Sequence, residues 1–188
     1  MLNPQDRSRA FNFALKMQDI FSSVVGLSII WSIYALIFTQ IEFIFISKVL
    51  LTLICVGFGT LTPLIDFNES HAKNPLWTGH ARFHLVWQVN AMIITALLSI
   101  VLLWFFYSIT NHLIVILLNY LWIFSFYATV FGLKLFDGEL NDINGVPPVF
   151  INILGREYEI DRNIQAITGS LVVISYASVL FLSNLYLT

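Results

Sequence analysis

An all-α bundle of about five membrane-spanning helices is the fold this sequence predicts, and three observations predict it. Charged residues make up 11% of the chain and apolar residues 58%, whereas soluble domains run near about 25% charged. No Asp, Glu, Lys or Arg occurs between Arg82 and Lys134, a stretch longer than ordinary soluble helices or strands. The other uncharged windows, Ile20 to Ile41, Val49 to Ile65 and Asn163 to Thr188, each have the length of one crossing. The same balance excludes a soluble enzyme domain, a disordered tail and, with formal charge near −2, a basic nucleic-acid binder. The lone cysteine, Cys55, excludes a disulfide scaffold.

The first helix is expected near 18–40. Arg7, Arg9 and Lys16 precede it in the manner of a secretion signal. The apolar segment is too long for a signal core and no small-residue cleavage site ends it, so it reads as an uncleaved anchor. The second helix, near 46–66, is the shortest. Pro63 removes the hydrogen bond to the Gly59 carbonyl and predicts a kink near its inner end, with a re-entrant element as the alternative. The long uncharged window must hold two helices, near 82–107 and 113–135. At about 1.5 Å per residue a single helix would extend over twice the roughly 30 Å hydrocarbon thickness. The break falls at Ser108-Ile109-Thr110-Asn111-His112. The last helix is expected near 163–187, with Asp161 or Asn163 as its N-cap.

Before that helix, Asp137-Gly138, Asn144-Gly145 and Pro147-Pro148 signal turns. Val149 to Ile160 then reads as a small hairpin on the membrane surface or a short amphipathic helix. The oxygen-rich run of Asp137, Glu139, Asp142 and Asn144 lacks EF-hand spacing and reads as a solvated turn. Repeats are absent and the outer connections are short, so residues 1–188 are expected to form one polytopic domain.

Five crossings put the termini on opposite sides. With the N-terminus inside, eight basic residues (Arg7, Arg9, Lys16, Lys73, Arg82, Lys134, Arg156 and Arg162) collect there, and only Lys48 lies outside. The positive-inside rule therefore predicts an N-in, C-out topology, with a bacterial cytoplasmic (inner) membrane as the expected location.

Polar groups at membrane depth are costly and therefore informative. The entrance to the third helix runs from Asn74 to Gln88, with Asn74 and Pro75 suited to N-cap and first helical position, or Thr78 and Gly79 to a restart. His80, His84 and Gln88 fall at i, i+4 and i+8, a single polar stripe flanked by Trp77 and Trp87. Arg82 faces away from that stripe, with Asp66 and Glu69 of the preceding loop as its expected partners.

Three readings fit the cluster. One is an interfacial girdle of Trp and His with Arg82 reaching phosphates. Another is a metal site on His80 and His84, completed by His71, Glu69 or Asp66. The third is a polar pocket for a lipid or other amphiphile. Four His are too few for a membrane di-iron enzyme, and G-x-S-x-G, Gly-rich phosphate-loop and H-E-x-x-H motifs are missing. No carboxylate lies near a helix midpoint, which disfavours a proton-coupled transporter.

The run Asn74-Pro-Leu-Trp77-Thr-Gly-His80-Ala-Arg82-Phe-His84-Leu-Val-Trp87 resembles the N-P-x-W-x-x-H-A-R-F-H-x-x-W motif of an uncharacterised family of small polytopic membrane proteins. Asp66, Glu69 and His71 before it, and Asp161 before the final helix, look similar to positions in that family. The motif covers well under a fifth of the chain, and the resemblance adds weight to it without naming a reaction. The expected function is that of an integral membrane protein binding an amphiphile, membrane lipid included, or a partner subunit. The candidate ligand-binding residues are Asp66, Glu69, His71, Trp77, His80, Arg82, His84 and Gln88. The alternatives are a small enzyme using a divalent metal on His80 and His84, and an accessory subunit of a larger membrane complex.

Overall fold

The computed structural model describes residues 8–141 and 145–187. Arg7 of the basic N-terminal segment, and Asp142 and Asn144 of the oxygen-rich run, lie outside the described residues. The protein is an all-α membrane bundle whose described residues include five helices long and apolar enough to span a bilayer. They are α1 (Arg9–Phe38), a composite second helix, α4 (Gly79–Trp104), α5 (Ile109–Gly132) and α6 (Arg162–Leu187). The composite helix runs through α2 (Phe43–Val56), a π-helical segment (Gly57–Leu61) and α3 (Thr62–Asp66).

Helix boundaries follow caps rather than charges. Helix α1 begins well before residue 18, because Ser8 caps it by accepting from the Phe11 N–H at 3.1 Å. Its first half carries Arg9, Lys16 and Asp19, the last paired with Arg162. Helices α4 and α5 likewise start three or four residues early. Thr78 Oγ1 accepts from the Ala81 N–H at 3.2 Å, and Ser108 Oγ from the Asn111 N–H at 3.0 Å. Asn74 is therefore not the cap of α4. It is buried in the loop, where its Oδ1 accepts from the Leu76 N–H at 3.0 Å and its Nδ2 donates to the Ser70 carbonyl at 3.2 Å. Asp161 caps α6, its Oδ1 accepting from the N–H groups of Asn163 and Ile164 at 2.8 and 3.1 Å.

The composite second helix is continuous over Phe43–Asp66, about 36 Å at the α-helical rise. The expected disturbance at Pro63 takes the form of the π segment just before it, a known response to a broken hydrogen-bond ladder. Glycines let neighbours close on this segment. A Cβ on Gly57 would meet the Phe21 ring of α1 at 2.8 Å, and one on Gly59 the Ala96 Cβ of α4 at 3.1 Å.

Helix α2 forms the centre. Its Ile46, Leu50, Leu51 and Ile54 are buried in one cluster with Val173, Ile174, Ala177 and Phe181 of α6. Met92, Ala96 and Leu103 of α4 and Val115, Ile116 and Ile123 of α5 close the cluster. A second cluster of Phe11, Ala14, Leu15, Ile65 and Val146 lies where α1 starts and α3 ends.

After a 3-10 turn at Leu133–Leu135, the chain forms a two-stranded hairpin, the first of the two alternatives for Val149 to Ile160. Strand β1 (Val149–Ile153) pairs antiparallel with β2 (Arg156–Ile160), Val149 opposite Ile160 and Ile153 opposite Arg156. Leu154 and Gly155 make the turn with φ of 53° and 79°, the left-handed pair a two-residue hairpin requires. Gly155 takes that conformation freely, whereas Leu154, 99% exposed, does so at a cost of roughly 1–2 kcal/mol.

Candidate functional site

The N-terminus of α1, the loop 67–78, the hairpin and the start of α6 share one end of the bundle, tied by Ser8–Glu69 and Arg162–Asp19 contacts. Arg162, 9% exposed, is held by Asp19 and by the Pro147 carbonyl at 3.2 Å from Nε. The candidate residues cluster at this end, but they divide into separate local groups.

Asp66 and His71 form the first. Backbone bonds wind the chain tightly after α3, the Ala72 N–H donating to the Asp66 carbonyl at 2.8 Å and the Lys73 N–H to Asn68 at 3.0 Å. His71 Nδ1 thereby comes 3.6 Å from Asp66 Oδ1 and 2.8 Å from Ser70 Oγ. Ser70 donates its own proton to the Ile65 carbonyl at 3.1 Å, which assigns the proton of this contact to His71 Nδ1. The Trp77 ring meets the His71 ring edge-on at 5.5 Å.

Glu69 is occupied elsewhere. Its carboxylate accepts from the Ser8 N–H at 2.7 Å and the Ser8 hydroxyl at 2.8 Å, fastening the loop to the positive end of α1. Burial raises the Glu69 pKa, but the Ser8 bonds, a bond from its own N–H and the charge of Lys73 outweigh that and hold it below the usual value. Arg82 does not pair with either carboxylate. Its Nε and Nη2 both donate to the Trp77 carbonyl, at 3.1 and 2.8 Å, so the guanidinium secures the loop's return into α4. Spacing on the helix placed Arg82 toward the loop correctly, but the carbonyl one turn back was nearer than any acid.

His80 and His84 make the third group, on the outward face of α4. Their Nε2 atoms lie 3.0 Å apart, so one ring must donate and the other accept. Phe83 and Trp87, both exposed, extend the same face, with the His84 and Trp87 rings 6.0 Å apart, and Gln88 is exposed one turn beyond His84. Among the described residues no third His, Cys, Asp or Glu joins the pair as a ligand group. His71, Glu69 and Asp66 thus do not complete a coordination shell around His80 and His84.

An apolar groove of about 540 Å³ lies between α1 and α3 beside the loop. Ala10, Phe13, Pro63, Leu64 and Phe67 line it, with Thr60 and Asn68 as the polar residues of the lining.

Two polar groups escaped sequence reasoning. His112, expected at the opposite surface, is fully buried there: its Nε2 is 2.9 Å from Ser47 Oγ and its ring stacks on Phe181 at 4.5 Å. Ser47 donates to the Ala177 carbonyl at 2.8 Å, joining α2, α5 and α6. Deeper in the bundle, Asn119 Nδ2 donates to the Val115 carbonyl at 2.8 Å and contacts Cys55 Sγ at 3.6 Å. An uncharged polar residue inside an apolar window was the available signal for both. No protein-family model matches the sequence, and no curated protein or solved structure is found similar to it.

Proposed function

We propose that this membrane protein binds an amphiphile at the end of the bundle that carries the loop 67–78. The apolar chain occupies the groove between α1 and α3, and the polar head rests against the loop. The groove carries this reading. Its volume, about 540 Å³, falls within the roughly 300–1,000 Å³ of small-molecule sites, and its wall continues through Phe67 and Asn68 into the loop bearing Glu69 and His71. A membrane lipid suits a groove between spanning helices. Arg9, next to groove residue Ala10, and Lys73 of the loop are exposed cations that favour an anionic head. The outward His80/His84/Trp87 face suits headgroup contact beside it.

Native mass spectrometry of the protein in mild detergent tests the reading. The wild type should retain one lipid, enriched in anionic classes. Ala10→Trp, at an exposed position whose new ring fills the groove, should cut occupancy about tenfold, equivalent to ~1.4 kcal/mol. A wild type without lipid, equal loading of the variant, or a stoichiometric polypeptide in place of lipid would overturn it. The eight-to-one charge asymmetry supports a cytosolic position for this end, in the inner membrane of a bacterium. Cysteines at positions 73 and 110 test it: in intact cells an impermeant reagent should reach 110 and spare 73, and the reverse pattern would invert the topology.

A further inference from the structure

Hydroxyls inside the spanning helices mostly return their proton to the carbonyl one turn back. Thr52, Thr60, Thr95, Ser170 and Ser178 all do so, at 2.6 to 2.9 Å. Ser99 does not. It is 1% exposed, and its Oγ makes no well-formed hydrogen bond, with the Cys55 thiol its weak polar neighbour. The indole Nε1 of Trp122 is likewise buried and unpartnered. In hydrocarbon, each such group costs several kcal/mol if it is left unmet.

The two groups come from different helices, Ser99 from α4 and Trp122 from α5, yet they line one cavity. Cys55 of α2 and Asn119 of α5 complete its polar side, and Phe58 of the π segment and Met92 its apolar side. The cavity measures about 10 Å³, and on that measure one water needs roughly 10–15 Å³. Nothing larger fits. The occupant must accept from the donor-only indole N–H and also serve Ser99, a hydroxyl able to give or take a proton. A cation fails the first requirement, and an anion has no basic side chain in the lining to neutralise it.

We propose that the cavity between α2, α4 and α5 is a binding site for a single water molecule, held by Trp122, Ser99 and Asn119. Bound there, the water accepts from the indole of Trp122 and donates to Ser99 Oγ or to the second lone pair of Asn119 Oδ1. It links α4 and α5 beside the π segment of the second helix, where side chains alone leave two polar groups unmet. The site is separate from the groove between α1 and α3, so the two proposals stand or fall apart.

The test is NMR of the full-length protein in micelles or nanodiscs, with water itself as the probe. Five tryptophans give five indole signals, and the one lost in Trp122→Phe identifies Trp122. Its Nε1 proton should show a rotating-frame Overhauser cross-peak at the water frequency, although the group is buried. Thr95→Val removes the lining hydroxyl that does not hold the water, since it already donates to the Ala91 carbonyl, and the cross-peak should persist in that variant. Absence of the peak in the wild type would overturn the proposal. So would its loss in Thr95→Val, which would trace the signal to that exchanging hydroxyl.

Discussion

Helices α1 and α2 are alike in composition and opposite in attachment. The windows that qualify their spans have the same mean hydropathy, 2.1, yet 11% of the α1 window is buried inside the protein against 44% of the window on the composite helix that contains α2. Helix α2 is held by packing, its Ile46, Leu50 and Leu51 fully enclosed. Helix α1 is held largely at its ends and by short ties. These are the Ser8–Glu69 bonds, the Asp19–Arg162 pair, the small cluster around Phe11, and a Ser32 to Tyr176 bond of 3.3 Å. Hydropathy reports partition into a bilayer, and lipid satisfies an apolar side chain as well as a neighbouring helix does. It therefore cannot distinguish a central helix from a peripheral one. The groove runs along this lightly buried helix, between α1 and α3.

The contrast can be broken by substitution. Leu50→Ala should have the largest effect. In water a buried Leu→Ala costs about 2–5 kcal/mol, but in a bilayer the transfer part is small and the cavity part remains, so about 2 kcal/mol is expected. Thermal unfolding in detergent measures it, and a loss below that of Leu27→Ala on the exposed side of α1 would contradict a packed α2. Next comes Asp19→Ala. It leaves the Arg162 guanidinium, 9% exposed, with the Pro147 carbonyl as its hydrogen-bond acceptor. Because the Asp19 side chain is 62% exposed, screening reduces the loss to about 1 kcal/mol. Restoration by an Asp19→Ala, Arg162→Met double variant would confirm that the uncompensated charge is the cause.

The smallest effect is expected at Glu69→Gln, and it should depend on pH. The Glu69 pKa is lowered by folding from 4.5, so its stabilisation is complete above that value and disappears as pH falls through the lower folded-state pKa. Melting temperatures of wild type and variant should therefore differ at neutral pH and converge in acid. A gap that widened in acid would reverse the sign of the coupling.

Much of this architecture was legible in the sequence because it depends on coarse free energies. Charge is expelled from hydrocarbon, so four uncharged windows, the longest holding two helices, located the five spanning helices, and the π segment of the second lies just before Pro63. The mixed apolar and charged run from Val149 to Ile160 allowed a hairpin or a short amphipathic helix, and the hairpin forms with its turn at Leu154-Gly155. Boundaries were less legible, since a Ser or Thr cap overrides a neighbouring charge, as at Ser8 and Thr78. Side-chain partners were the least legible. Asp66, Glu69, His71, Arg82 and the His80/His84 pair do gather at one end, but Ser8 takes Glu69 and the Trp77 carbonyl takes Arg82. The spacing of His80 and His84 put them on one face without saying that the face points outward. The meeting of Cys55, Ser99, Asn119 and Trp122 needed the crossing of three helices, which no local pattern encodes.

The π segment gives the second helix an elastic register. A π turn winds one residue more than an α turn, so Gly57–Leu61 carries a surplus of chain. Losing one residue there lets the helix relax to α geometry while Leu50 keeps facing α6 and Asp66 keeps facing the loop. The same deletion in the middle of α4 would rotate everything beyond it by about 100°, carrying Ser99 away from its cavity. Chain length in this protein is thus buffered where the central helix changes pitch, and rigidly counted elsewhere along its spanning helices.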